Sequence, residues 1–368
     1  MFFISLLALG LTYLILFQIG KLLNFVLTGG KNMKHSKLSF NLILFVVSNF
    51  ISTSIFCFPK KMIICKPVTD LRTKPIKVDS TLKLPTLLKD NPMQDSQLLL
   101  NEQVIALEEN DGWLKVQTIE QKKYSTNSKV KYKKGFIKAK HAIEIKEFPE
   151  NNIVVKKQWS TVYQTPNEFS EKLFNVSIGT KLYGEKLNNK WYLVNLPDET
   201  KGAILVSDVN VFFENLSLEE LQNNLIKTAL TFIDQPYYGG GRSAGKVDCS
   251  ALINLVYRVN GINVARDAND QFKFSKEVSY GSQLKPGDLI FFSNQEAPNI
   301  IKHALMYLGD GKIIESTGRE PFLKTLITTD IEKFGKPISS LISGELYKIK
   351  YGLNNYYNHL VHFRSYLS

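Results

Sequence analysis

Three consecutive glycines, Gly239-Gly240-Gly241, run through a short polar stretch into Asp248-Cys249-Ser250-Ala251-Leu252, and this juncture constrains the fold more than any other segment. Glycines permit close backbone approach and unusual dihedrals. From Leu252 onward Leu255, Val256 and Val259 recur at helical spacing, and Gly261 supplies a C-terminal stop. Asp248 is therefore a natural N-cap, which leaves Cys249 in the first helical turn. Unpaired backbone N–H groups and the positive end of the helix dipole favour negative charge there. The same N–H groups can stabilise an oxyanion on an acyl group. A phosphate-binding loop is excluded, because no Lys followed by Ser or Thr opens the helix.

A lone cysteine is more often an inert buried residue, so the partners matter. Leu284-Lys285-Pro286-Gly287-Asp288 reads as a turn, followed by the buried-type strand Leu289-Ile290-Phe291-Phe292. His303 to Leu308 and Lys312 to Glu315 then flank Gly309-Asp310-Gly311 as a hairpin. A three-residue loop with Gly311 left-handed would pair Leu308 with Lys312 and set Glu315 opposite Leu305. Residues 303, 305 and 315 would then share a face, making Glu315 a diagonal neighbour of His303. A two-residue Asp310-Gly311 turn would instead send Glu315 to the other face. With the first register, His303 is the base for Cys249 and Glu315 orients the imidazole.

Upstream, Ser217-Leu218-Glu219-Glu220 has the form of a capping box, and Leu218, Leu221, Leu225, Ala229 and Phe232 make an amphipathic stripe ending near Pro236. Between Lys66 and Phe213 the pattern is short apolar strands divided by polar turns. Val104 precedes Trp113 by the separation that divides Leu182 from Trp191, and Val116 and Val194 follow the tryptophans alike. Gly135 lies further from its tryptophan than Gly202 does, the surplus being the Lys-, Ser- and Asn-rich stretch 122–134, read as a longer loop. Such a weak repeat is what a duplicated barrel leaves behind.

Residues Phe2 to Gly20 carry no charge, and a second apolar run, Phe40 to Phe58, follows a basic patch at Lys31, Lys34, His35 and Lys37. Two accounts fit: a helical hairpin with a cytoplasmic loop, or a signal peptide starting at Met33. Either exports the remainder, to the periplasm or outside the cell, and the first keeps a membrane anchor. Bulky Phe56 before Cys57 argues against a lipoprotein cleavage site.

Length and composition fit this division. At 368 residues two or three domains are expected, and 44% hydrophobic and 11% aromatic content exclude wholesale disorder. The +12 net charge is dispersed and suits anionic surfaces, while no finger, helix-turn-helix or basic-aromatic signature supports nucleic-acid binding. Cys57, Cys65 and Cys249 form no disulfide framework or CxxC pair, and His359 and His362 have no ligating neighbour in sequence. No metal or other cofactor is expected.

Tyr237, Gly240-Gly241, Asp248-Cys249-Ser250, Pro286-Gly287-Asp288, His303 and the Gly309-Asp310-Gly311 hairpin together resemble the NlpC-type cysteine peptidases. That resemblance implies a papain-like α+β domain that trims peptidoglycan peptides. The whole layout is similar to the γ-D-glutamyl-L-diamino-acid endopeptidases, with two small all-β SH3-like barrels before the peptidase. The expected organisation is a leader over 1–60, modules over 66–147 and 150–214, and the peptidase over 217–368.

The resemblance implies cleavage between D-Glu and a diamino acid such as diaminopimelate in stem peptides with a free N-terminal L-Ala. It carries substrate binding onto Asp248, Ser250, Tyr237 and Arg266, the arginine taking stem-peptide carboxylates. An acid and a tyrosine of the first module, here Asp95 and Tyr132, would close over the amine end. Glu315 stands where the family usually has His, Gly239 where Trp is common, and Ala251 where Gly is common. Two other readings share these features: a non-catalytic binder of wall peptides, and a thiol amidase or acyltransferase on another substrate.

Overall fold

The computed structural model describes residues 58–75, 93–125, 130–212, 216–353 and 355–367. The expected leader lies outside the described residues except for its last few positions. Among the described residues, no helix is long and apolar enough to cross a membrane. The chain is mostly β-sheet with few helices and has several separate cores.

The first module is a seven-stranded antiparallel sheet, ordered Gln94–Leu99, Val68–Arg72, Lys131–Lys138, Trp113–Lys123, Gln103–Asn110, Lys60–Ile64, Ala142–Glu144. Alternating residues such as Val104, Ala106, Leu114, Val116 and Ile137 fill its core. The strand Lys60–Ile64 pairs with both Gln103–Ala106 and Ala142–Glu144. The sheet thus takes in residues that the sequence reading assigned to the leader or placed ahead of Lys66. Nor is the Lys-rich surplus a simple loop. Lys122 pairs with Tyr132 and Lys123 with Lys131, so much of it lengthens a hairpin.

The second module has a five-stranded sheet, Lys172–Ser177, Trp159–Tyr163, Lys201–Leu205, Trp191–Asn195, Gly184–Lys186, and a three-stranded one, Lys181–Leu182, Ile153–Val155, Val209–Val211. Val155, Val162, Leu182, Val194 and Ile204 meet between them.

In the remaining segment the helices are α1 (Leu218–Leu230), α2 (Cys249–Val259), α3 (Ala268–Phe274) and α4 (Asp330–Phe334). Its sheet strands, numbered β1 to β7 within this segment, are Lys276–Val278, Leu289–Asn294, Ala297–Gly309, Lys312–Ser316, Thr325–Thr329, Leu346–Tyr351 and Asn355–Ser365. Their order is β1-β7-β2-β3-β4-β5, with β6 also paired to β7. All pairs are antiparallel.

The capping box at Ser217 forms as expected, but α1 stops at Leu230, before Pro236. Strand alternation divides the sheet into two faces. Leu289, Phe291, Ala304 and Met306 pack under α1 and α2, whereas Ile290, Phe292, Leu305 and Ile313 face Phe334, Ile338 and Tyr351.

The β3–β4 hairpin resolves the register differently from expectation. Gly309 pairs with Lys312, so Asp310-Gly311 is a two-residue turn, with φ +49 and +65. That turn alone would put Glu315 on the wrong face. A bulge between Tyr307 and Gly309 absorbs one residue, and Met306 then pairs with Ile314. Leu305 and Glu315 thereby end opposite one another, as the three-residue loop would have left them.

Candidate active site

Asp248 caps α2, its Oδ1 accepting from the Ala251 N–H at 2.8 Å, so Cys249 opens the helix with its sulfur at the positive end. Behind it α2 is buried along nearly its whole length, which fixes where the helix mouth points. His303 reaches the same place from β3 and lines one cavity with Cys249. His303 Nε2 lies 2.6 Å from Glu315 Oε2, leaving Nδ1 for the sulfur. Of the three groups that the sequence reading brought together, the imidazole and the carboxylate are bonded, and the sulfur lines the same cavity as the imidazole.

Sequence reading missed the fourth member. Lys333 of α4, only 4% exposed, donates to Glu315 Oε1 and lies 4.7 Å from the Tyr351 ring centroid. Burial works against ionising Glu315, but Lys333 first, and then His303, outweigh it and hold the carboxyl down at about 2. For His303 burial likewise disfavours the charged form. Hydrogen bonds to Cys249 and Glu315 outweigh that and push the imidazole up to about 9. A lysine in a short C-terminal helix carries no local sequence signal that it will meet a strand residue. Only the sheet packing reveals it.

The predicted substrate-binding residues divide. Asp248 and Ser250 are turned inward rather than offered to a ligand. The Asp248 carboxylate accepts from the Gly240 and Ala251 N–H groups, from Ser250 Oγ, and from Arg266 at 3.0 and 2.7 Å. Arg266, 1% exposed, spends its remaining donors on Ser250 Oγ, Ser96 Oγ and the Gly241 carbonyl. A guanidinium has five N–H groups, and these bonds use them all. The expectation that Arg266 takes a substrate carboxylate is therefore corrected: it locks the mouth of α2 to the first module.

Gly240 serves the same junction. Its φ is +75, and a Cβ there would sit 2.6 Å from the Gln94 carbonyl oxygen.

Asp95 follows Gln94 on this edge, with Oδ1 accepting from Lys133 Nζ at 2.9 Å. Lys133 also reaches Asp267 at 2.8 Å. Asp95 Oδ2 accepts no bond from the described residues, and the side chain is 29% exposed. Tyr132 neighbours Lys133 on a strand, so its side chain projects from the opposite face, away from Asp95. That half of the expectation fails because of strand alternation. Tyr237 does reach the cleft, its ring so close that a Cβ on Gly318 would fall 2.5 Å from it. Together with Cys249, His303, Lys302, Thr317, Arg319 and Tyr351 it lines a cavity of 290 Å³.

A sulfur at a helix mouth, an imidazole in the same cavity and a buried acid behind the imidazole are parts suited to nucleophilic acyl transfer. The same segment, residues 234–329, matches the NlpC/P60 family. The chain carries an NlpC/P60 domain. That domain is a cysteine peptidase domain.

One relative is a γ-D-glutamyl-L-lysine dipeptidyl-peptidase of Bacillus cereus (strain ATCC 10987 / NRS 248), 28% identical over 253 residues, 67% of this chain and 73% of the relative. Another, of the same description, from Bacillus subtilis (strain 168), is 38% identical over 112 residues. That alignment covers 30% of this chain and 38% of the relative. Among solved structures, an NlpC/P60 family protein from Bacillus cereus ATCC 10987 superposes with a TM-score of 0.64 at 23% identity. It covers 84% of this chain and 100% of that one, a likeness of fold.

Proposed function

We propose that this NlpC/P60 peptidase hydrolyses the amide between γ-D-Glu and a diamino acid in peptidoglycan stem peptides, and that Cys249, His303 and Glu315 perform the reaction. The Cys249 sulfur at the mouth of α2, sharing one cavity with an imidazole that is bonded to Glu315, carries this reading. The Cys249 sulfur attacks the scissile carbonyl and forms a C–S bond, while backbone N–H groups at the helix start face the developing oxyanion. His303 takes the thiol proton and passes it to the departing amine as the C–N bond breaks. Water, deprotonated by the same imidazole, then cleaves the thioester. Glu315 holds the imidazolium in line, taking the place of the family's usual third-position His.

The names of the relatives support the bond and a free amino terminus: a dipeptidyl-peptidase acting at γ-D-glutamyl-L-lysine removes a dipeptide from that end. In this reading Asp95 receives the ammonium through Oδ2, and Tyr237 walls the cleft beside the D-Glu residue. The two β modules act as SH3-like barrels, over about residues 66–147 and 150–214, and the first closes one end of the cleft. The leader delivers the enzyme to the cell envelope.

The deciding assay incubates L-Ala-γ-D-Glu-L-Lys and its diaminopimelate counterpart with wild type and Cys249→Ala, following release of the diamino acid by mass spectrometry. Cleavage by wild type alone, blocked by iodoacetamide, is expected, and N-acetylating L-Ala should slow it. Equal cleavage by the Cys249→Ala variant would refute the reading.

A further inference from the structure

The cavity beside Cys249 contains a cation that the reaction above does not use. Arg319 follows β4, and its guanidinium carbon lies 4.0 Å from the Tyr351 ring centroid and 4.8 Å from that of Tyr357. The two rings pack edge to face at 5.7 Å. This aromatic corner fixes a side chain that otherwise has much rotamer freedom, and stacking leaves the in-plane N–H edge of the fork available.

The other arginines near the active site, Arg242, Arg258 and Arg266, are buried against carboxylates. Arg319 is different. Among the described residues its guanidinium has neither an acid within ion-pairing distance nor a hydrogen-bond acceptor. Lys302, exposed and adjacent to His303, lines the same cavity. Among the described residues no carboxylate lines it; Glu315 lies buried behind His303.

Position tells which part of a substrate this site would meet. Asp95, Asp248 and Arg266 stand at the first-module end of the cleft and do not line the cavity, whereas His303 and Cys249 do. The inference rests on the proposed reaction in one respect: His303 protonates the leaving amine, so the departing residue lies on the His303 side. We propose that Arg319, with Lys302 beside it, binds a carboxylate on that departing diamino acid, making the enzyme selective for stem peptides in which the carboxylate is free. A planar fork facing a carboxylate gives paired charge-assisted hydrogen bonds, the job that Arg266 cannot do with its donors already spent.

Three peptides separate the possibilities: L-Ala-γ-D-Glu-L-Lys, its α-amide, and the diaminopimelate peptide amidated at the α-carboxyl, which keeps only the side-chain carboxylate. Wild type should favour the lysine acid over its amide by about 10-fold or more in kcat/KM. Arg319→Gln should bring that ratio close to one, and Arg319→Lys should restore part of it. If the preference instead follows the side-chain carboxylate and collapses in the same variant, the site is assigned to that group.

Wild-type ratios near one for both carboxylates, or a ratio unmoved by Arg319→Gln, overturn the proposal. Should wild type cleave none of the peptides, the proposed reaction fails, yet the pocket is still read without turnover. Calorimetry with Cys249→Ala should then detect Nα-acetyl-L-lysine in preference to its amide, and equal binding of the two would overturn the assignment.

Discussion

At the scale of single residues, the candidate active site sets the Cys249 sulfur beside an imidazole, a carboxylate and an ammonium in a row. His303, pushed up to about 9, gives stability that is complete below its ordinary 6.5 and is lost as pH rises through about 9. Glu315, held down at about 2, contributes above its ordinary 4.5, and that contribution disappears as pH falls through about 2. Both are fully present between those ordinary values. The kcat/KM profile should therefore fall on its alkaline side near pH 9. Glu315→Gln removes a bond and a charge that favour the imidazolium, so its alkaline limb should move about one unit or more toward acid. An unmoved limb would show that Glu315 does not govern the histidine. Cys249, His303 and Glu315 were legible in the sequence because each belongs to a local pattern: a cap, a strand start, a hairpin arm. Lys333 was not, because its partner lies on a different element.

At the scale of elements, α4 shows what a short helix can contribute. Its N-cap Thr329 and Glu332 form a capping box, and Gly335 closes it in the left-handed region at φ +72. These signals hold five residues in place so that Phe334 enters the core and Lys333 reaches Glu315. Lys333→Met would leave a 2%-exposed carboxylate with one partner fewer. Breaking such a buried pair should cost about 3–5 kcal/mol, read as a lower denaturant midpoint. Removing its charge should also shift the alkaline limb of activity upward, a change that loss of packing would not produce. The hairpin between β3 and β4 gives the complementary lesson. Turn chemistry at Asp310-Gly311 was readable, but the bulge at Leu308 was not, because it answers to packing and pairing on both sides of the strand.

At the scale of the whole molecule, buried ion pairs join the β modules to the peptidase segment. Glu102 of the first module meets Arg242 at 2.7 Å and Arg258 at 3.2 Å. Arg258 also pairs with Glu120 and donates to the Gly179 carbonyl of the second module. Lys181 reaches Glu120 from that same module. The 122–134 surplus joins in as well: the Tyr124 N–H donates to Asp270 on α3, and its ring meets Phe274 at 5.5 Å. Glu102→Gln would strip Arg242 of its carboxylate and should destabilise the chain by about 3–5 kcal/mol in denaturant titrations. A change below about 1 kcal/mol would mean that apolar packing alone holds the segments together.

By itself the sequence determined many of the strands, the capped starts of α1 and α2 and the placement of Cys249, because periodicity, caps and turns act within a few neighbouring residues. Tertiary structure alone decided the destinations of side chains across the molecule. Arg266 and Arg319 are both arginines in polar stretches, yet one lies sealed against Asp248 and the other stands beside the cleft with its fork unspent. Whether a charge is consumed internally or left for a ligand depends on which acid folding brings to it, and sequence neighbours do not determine that.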